Sequence, residues 1–330
     1  MSAATPPPHS HALPLRVGTR GSPLALLQTR AFLDRLRGFC PVLRNMEVFE
    51  EHPIRTTGDA TQASGQRLAE IGGKGLFAKE IHDALADGRI DFAVHSLKDL
   101  ETTLPRGIVL ACTMKREDAR DALIISPLPL REGARGGPAQ FALLPEGAVV
   151  GTSSVRRQAQ LLHARPDLTV AAIRGNVGTR LDKVASGAFD ATLLALAGLR
   201  RLGLEHRAAV VLDPDVMVPA AGQGIVAVTV RANATELRDL LAGIEDPEAR
   251  AVATAERAML AALDGSCRTP IGGYAGVQPD GTLSLIGLVA RADGSFLLKH
   301  RLSGPEAEAE RLGAELGASL RADSPGDLFA

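Results

Sequence analysis

From Ala148 to Leu196 the chain alternates short apolar, β-branched runs with amphipathic stretches of helical period. Ala148–Thr152, Leu168–Ile173 and Asp190–Leu196 read as strands, with helices over Ser153–Ala164 and Asn176–Ser186 between them. Strands joined through a helix pair in parallel, and a parallel sheet needs both faces covered. This pattern restricts the region to an open α/β layer. The N-terminal part has the same character. Leu15–Arg20 reads as a strand, and Ser22-Pro23 supplies an N-cap and a first-turn proline for a helix to about Arg37. Met46–Ile54, Asp91–His95 and Ile108–Met114 are further strands, and Leu76–Ala86 is a helix that stops at Gly88. Thr57–Lys74 and Ser126–Pro145 read as loops from their Gly, Pro and polar content. Ile225–Arg231 alternates like a strand. Asp246-Pro247 opens a long helix to about Leu263. Beyond it Tyr274–Val277, Leu283–Val289 and Phe296–Leu302 read as an antiparallel meander, followed by a helix over Pro305–Leu320, a small α+β unit.

Composition narrows the function. A length of 330 residues fits two or three domains. Lys plus Arg is 37 and Asp plus Glu is 38, a net charge of -1, which argues against a general nucleic-acid binder but leaves room for a local basic cleft. Nine Phe, one Tyr and no Trp are too few for a base-stacking surface. Cys40, Cys112 and Cys267 form no C-x-x-C pair, and an odd count fits a reducing compartment. Met1–Pro14 lacks a basic segment and an apolar segment, so it reads as a disordered tail rather than a secretory signal. No apolar run reaches membrane-helix length.

Two motif matches fail on context. Gly72-Gly73-Lys74-Gly75 resembles part of a phosphate-binding loop, but Leu68 stands where the first glycine belongs and Gly75 where Ser or Thr would hold magnesium. Gly222-Gln223-Gly224-Ile225-Val226-Ala227 matches a dinucleotide fingerprint literally, yet a strand follows it where a helix is required. The eight His show no metal-ligand spacing.

The informative feature is arginine at strand ends and helix starts. Arg20 ends the first strand, Arg156 and Arg157 sit in the first turn of a helix, Arg174 ends a strand, and Arg180 lies one turn into the next helix. Ligands of open α/β sheets bind outside the carboxyl ends of the strands. Arginine forks match carboxylate or phosphate there. Cations at a helix N-terminus also work against the helix dipole, which favours a binding reason over a solvated face. His95-Ser96-Leu97-Lys98-Asp99 follows a buried strand and puts Lys98 and Asp99 at the same edge, as an acid/base pair or as an ordinary surface pair. Cys267, in Asp264-Gly265-Ser266-Cys267-Arg268-Thr269-Pro270, is on the residues alone either a reactive loop thiol or a small buried hydrophobe, the commoner fate, assigned also to Cys40 and Cys112.

Long stretches in order resemble the porphobilinogen deaminase (hydroxymethylbilane synthase) family: RVGTRGSPLAL from Arg16, GGKGLFAKE from Gly72, DFAVHSLKD from Asp91, REDARDAL from Arg116, VGTSSVRRQ from Val150, RGNVGTRLDK from Arg174, AGLRRLGL from Ala197, PAAGQG from Pro219, AERAML from Ala255 and GSCRTPIGGYA from Gly265. The resemblance implies an α/β fold of three domains. Two are periplasmic-binding-protein-like, with the chain crossing between them twice, and the third is a small C-terminal α+β domain. On this sequence that gives residues 1–14 as tail, 15–115 with 220–243 as domain 1, 116–219 as domain 2, and 244–330 as domain 3 with the cysteine loop.

The resemblance further implies a cytoplasmic, monomeric transferase of heme biosynthesis. It would join four porphobilinogen molecules head to tail, with loss of ammonia, and release the linear tetrapyrrole 1-hydroxymethylbilane. Its cofactor would be a dipyrromethane primer joined by a thioether to Cys267, which overturns the buried-thiol reading. Asp99, Lys98 and Arg20 become the catalytic expectation, Asp99 by stabilising a cationic azafulvene. Lys98, Asp99, Ser154, Arg156, Arg157 and Arg174 become cofactor contacts. Arg20, Ser22, Gln28, Lys74, Arg174, Arg180, Arg201 and Gln223 become substrate contacts, with Lys74 on a lid over the cleft. No metal, nucleic-acid or membrane partner is implied. The sequence departs from many relatives at Glu70, usually Lys, and at Leu100-Glu101, commonly Val-Pro.

Overall fold

The computed structural model describes residues 13–40, 43, 47–60, 75–127, 139–263 and 269–329. Its strands are β1 (Leu15–Arg20), β2 (Phe49–Ile54), β3 (Phe92–Ser96), β4 (Ile108–Thr113), β5 (Asp121–Ile125), β6 (Val149–Gly151), β7 (Thr169–Ala171), β8 (Ala191–Ala195), β9 (Val210–Val211), β10 (Val226–Arg231), β11 (Ile271–Val277), β12 (Thr282–Ala290) and β13 (Leu297–Pro305). They form one sheet of order β2-β1-β3-β10-β4, a second of order β7-β6-β8-β5-β9, and a third of order β11-β12-β13.

The parallel pairing read from the β-α-β alternation holds for β6, β7 and β8, and each large sheet as a whole is mixed. β1 runs parallel to β2 and β3, but β10 is antiparallel to β3 and β4. β6 runs parallel to β7 and β8, but β5 is antiparallel to β8 and β9. The cause is connectivity: β5 and β10 each enter from the other sheet, without the crossover helix that would reverse the chain. β5, β9 and the helices Leu196–Arg201 and Thr235–Ala242 are not apparent from local sequence pattern. β5 follows directly on the charged run Arg116–Arg120, and Leu196–Arg201 continues a strand without a break, so neither has its own boundary signal. Thr57–Ala60, read as loop, is a helical turn, and 61–74 falls outside the described residues.

Local chemistry sets the helix starts that face the sheet edges. The side chains of Ser22, Ser154, Asn176 and Asp246 each accept a backbone N–H of the first turn, with Pro23 and Pro247 next to their caps. In the C-terminal unit the helices Pro247–Ala262 and Ala309–Ala322 cover one face of the β11–β13 sheet, burying Ala255, Met259, Leu312 and Leu316 against Leu283 and Leu285. Cys112 is fully buried in β4, and burial, with Glu245 nearby, pushes its thiol up to about 12. Cys40 departs from the expected burial: it is half-exposed where the helix Pro23–Phe39 ends, because it caps that helix through its backbone.

The two crossings between the large sheets are clasped by one buried ion pair. Glu256 is fully buried and accepts the backbone N–H of Gly222 at 2.6 Å and of Ala275 at 2.7 Å. Arg116, at the first crossing, reaches it at 2.7 Å and also donates to the Gln223 carbonyl at 2.9 Å. Gly224, at the second crossing, has φ +92°, and a Cβ there would collide with the Glu117 carbonyl. One glutamate thus joins the first crossing, the second crossing and the C-terminal sheet. Removing one partner of a buried pair strands the other charge. Arg116→Met is expected to lower unfolding free energy by about 3–5 kcal/mol in urea titration, and a midpoint equal to wild type would show that the clasp carries no such weight.

Candidate functional site

Between the two large sheets lies a cleft of about 730 Å³. Its walls include Arg20, Ser22, Gln28, Lys98, Asp99, Ser154, Arg156, Arg157, Arg174, Arg180, Arg201 and Gln223. The fold therefore brings together every site residue expected from the sequence except Lys74 and Cys267, which lie outside the described residues.

One wall is organised on Arg20 at the end of β1. Its guanidinium donates to Asp59 at 2.6 and 3.3 Å and to Asp99 at 3.2 Å, and stacks 4.2 Å above the Phe77 ring. Thr56 in turn donates to Asp59 at 2.8 Å. Burial would lower the Arg20 pKa, but Asp59 and Asp99 outweigh it and hold the group charged. Asp99 ends the 3-10 turn Leu97–Asp99 that follows β3, as the position after a buried strand implied. His95, the penultimate residue of β3, is buried with Nε2 2.9 Å from the Thr229 hydroxyl. Burial first, then His82 and Arg20, push it down to about 3, so it stays neutral and takes no part as an acid.

The opposite wall is organised on Asp121, fully buried at the start of β5. Arg156 reaches one of its oxygens at 2.8 Å and Arg157 the other at 2.7 Å. The same two arginines donate to the Val218 and Leu193 carbonyls at 2.6 and 2.7 Å. Burial alone would raise the Asp121 pKa; the two guanidinium charges, with hydrogen bonds from Arg157 and Gln223, overcome it and hold the carboxyl well below the usual range. Gln223 donates to Asp121 at 2.8 Å and accepts from Lys98 at 3.0 Å. A chain of contacts thus runs from a buried anion to a cation at the cleft. The sequence reading of Arg156 and Arg157 as open forks is refined: each is largely buried, and each shares its donors with protein groups. Arg157 Nε has no hydrogen-bond partner among the described residues, so one buried donor remains for a ligand anion.

Lys98 is open to cleft water yet enclosed by protein. Burial of its amine, then Arg157, lower its pKa to about 8. Cleft water softens the desolvation, but the direction follows from enclosure among cations. Arg180 donates to the Gly175 carbonyl at 2.9 Å, and burial, then Arg157 and Arg174, lower it to about 10. Arg174 lies beyond the end of β7 rather than in it, and is buried. Arg201 donates to the Gly224 carbonyl at 2.6 Å, and Gln28 accepts from Ser96 at 3.1 Å. Cations that depress one another lack sufficient anions, and a ligand bearing several carboxylates supplies them.

Sequence reasoning missed Asp59, Phe77 and Asp121. Asp59 and Phe77 lay in a stretch read as loop and helix with no ligand pattern. Asp121 carried a usable signal: an aspartate opening the apolar run Ala122–Ile125 needs a cationic partner if that run is a buried strand.

Two α/β lobes with a cleft whose lining carries seven Arg and Lys side chains against Asp99 and Asp182 define a protein that binds a polyanion between its lobes. The family model of the porphobilinogen deaminase dipyrromethane cofactor binding domain matches residues 15–239, and that of the porphobilinogen deaminase C-terminal domain matches residues 251–322. The chain belongs to the porphobilinogen deaminase family. It is 50% identical to the porphobilinogen deaminase of Sorangium cellulosum over 313 residues, 93% of this chain and 98% of that protein. It is 46% identical to that of Paracoccus denitrificans over 319 residues, 96% of each. A solved structure of the periplasmic VFT2 domain of Bordetella pertussis BvgS covers 73% of this chain and 92% of its own at 16% identity and a TM-score of 0.37, a likeness that adds nothing to the topology above.

Burial and neighbouring cations lower the Lys98 pKa toward about 8, so its charge is lost progressively as pH rises through that region, and only the charged form attracts carboxylates. Porphobilinogen affinity, measured by calorimetric titration, is expected to fall as pH rises through about 8. Lys98→Met should flatten that fall and weaken binding at pH 7 by roughly tenfold. An unchanged pH profile in the variant would remove Lys98 from ligand binding.

Proposed function

We propose that this cleft carries out the family's reaction: head-to-tail condensation of four porphobilinogen molecules, with loss of ammonia, into 1-hydroxymethylbilane on a dipyrromethane primer bonded to Cys267. The observation that carries the reading is the excess of cations, Arg20, Lys98, Arg156, Arg157, Arg174, Arg180 and Arg201, around the cleft-lining Asp99 in a chain of this family. Each pyrrole brings an acetate and a propionate, so a chain of them is the polyanion such walls require. Arg157 Nε, without a hydrogen-bond partner among the described residues, and Arg180 and Lys98, both lowered by burial and by Arg157, fit that group. Lys98, Ser154, Arg156, Arg157 and Arg174 would hold the primer, which when bound supplies the pyrrole carbon on which the product grows.

The chain's own residues divide the remaining work. Arg20, Ser22, Gln28, Arg180, Arg201 and Gln223 orient the incoming carboxylates, and Lys74 contributes from its glycine-rich segment. Asp99 has one oxygen held by Arg20, and a carboxylate so fixed can accept pyrrole N–H groups on the other. It stabilises the cation left when ammonia departs and shuttles protons at the reacting carbon. Asp59 and Phe77 keep the Arg20 guanidinium in place for this task.

The proposal extends to organisation and setting. Membership of the three sheets supports domains at 15–115 with 220–243, 116–219, and 244–330. We read the enzyme as a cytoplasmic monomer in heme biosynthesis. The odd cysteine count and the buried Cys112 thiol support a reducing compartment. Among the described residues no helix is long and apolar enough to cross a membrane.

Intact mass of the denatured protein tests the anchor. Wild type is expected to carry the added mass of two porphobilinogen units less two ammonias, and Cys267→Ser none; an identical adduct on both would place the primer elsewhere. Asp99→Asn is expected to retain the adduct while product formation drops at least about a hundredfold, and near-native turnover would take Asp99 out of the chemistry.

A further inference from the structure

A second cavity of about 440 Å³ adjoins the cleft on the side of the first crossing. Gln28 and Arg201 line both spaces, so the two cavities meet at those side chains. Its lining joins apolar Leu27, Ala31 and Met114 to Lys115, while the charged neighbours Arg116 and Glu117 are already paired with Glu256 and Arg200. Leu27 is 37% exposed, one of the few large hydrophobic residues left open. Lys115 is exposed and has no hydrogen bond or ion pair among the described residues. An apolar lining joined to an unpaired ammonium suits a planar ring carrying a carboxylate.

Size supplies the second argument. A pocket of about 300–1,000 Å³ encloses one drug-sized molecule, and the main cleft, at about 730 Å³, is of that size. A two-ring primer extended by four rings is larger than that, so the later stages of growth need more room than the cleft alone provides. We infer that the cavity beside the first crossing is an overflow site for the longer intermediates. It takes one already-condensed pyrrole, the ring against Leu27, Ala31 and Met114 and a carboxylate on Lys115. The inference rests on the reaction proposed above and adds a site for which the early additions have no use.

The test uses the full-length, primer-loaded enzyme pulsed with porphobilinogen and quenched over time, with bound species resolved by intact mass. In Lys115→Glu and Leu27→Glu, primer loading and the first addition are expected at wild-type rates, with the third and fourth additions slowed roughly three- to tenfold. A second readout does not depend on turnover: acetylation of Lys115 by an amine-reactive reagent, mapped by peptide mass. It is expected to slow several-fold in enzyme carrying three or four added units relative to primer-only enzyme. Equal slowing of all additions, or no slowing, together with Lys115 reactivity independent of chain length, overturns the overflow site. A wild-type enzyme that adds no units at all overturns the proposed reaction itself, an outcome distinct from the first.

Discussion

The site depends on one buried carboxylate. Asp121 sits fully enclosed between two guanidinium groups, and without it Arg156 and Arg157 would be two like charges side by side at the base of a helix. The cost of desolvating all three is offset because each arginine also reaches a backbone carbonyl and Gln223 shares the carboxylate. Asp121 therefore fixes the wall of the cleft, and Gln223 passes that order to Lys98. Part of the charge of the cleft is thus neutralised internally, and the rest is left for carboxylates.

A second carboxylate does for the architecture what Asp121 does for the site. Glu256 gathers Arg116, the Gly222 amide and the Ala275 amide, groups from both crossings and from the third sheet. The crossings lie close enough that only glycine is accommodated at 224. Two strands exchanged between sheets, β5 and β10, then carry the contacts outward. The cleft is bounded by residues of both large sheets because the chain passes between them twice.

Much of the site was legible before the fold. Arg20 after a strand, Ser22 and Pro23 opening a helix, and Asp99 just past a buried strand all stand where local periodicity and capping chemistry implied. The helices read from Ser153 and from Asn176 begin within two residues of those positions, with Ser154 and Asn176 as their caps. It failed for Asp59, which reaches Arg20 across 39 positions, and for Asp121, which reaches Arg156 across 35. No local pattern encodes a partner at that separation. It gave no boundary for β5, and it set no direction for β10, since strand periodicity is the same in both orientations.

The sequence by itself determined the α/β alternation, the helix starts, the C-terminal meander, and a surplus of arginine where strands end, because these follow from periodicity, capping and charge within a few residues. The tertiary structure alone decided which charges are spent inside the protein and which remain for a ligand. Arg156 and Arg157 look identical to Arg174 and Arg180 in sequence, yet the first pair is tied to Asp121 and, among the described residues, no such ion pair holds Arg180. That distinction arises only when distant strands bring a carboxylate within hydrogen-bond reach, since electrostatic pairing depends on distance in space and on burial rather than on position along the chain.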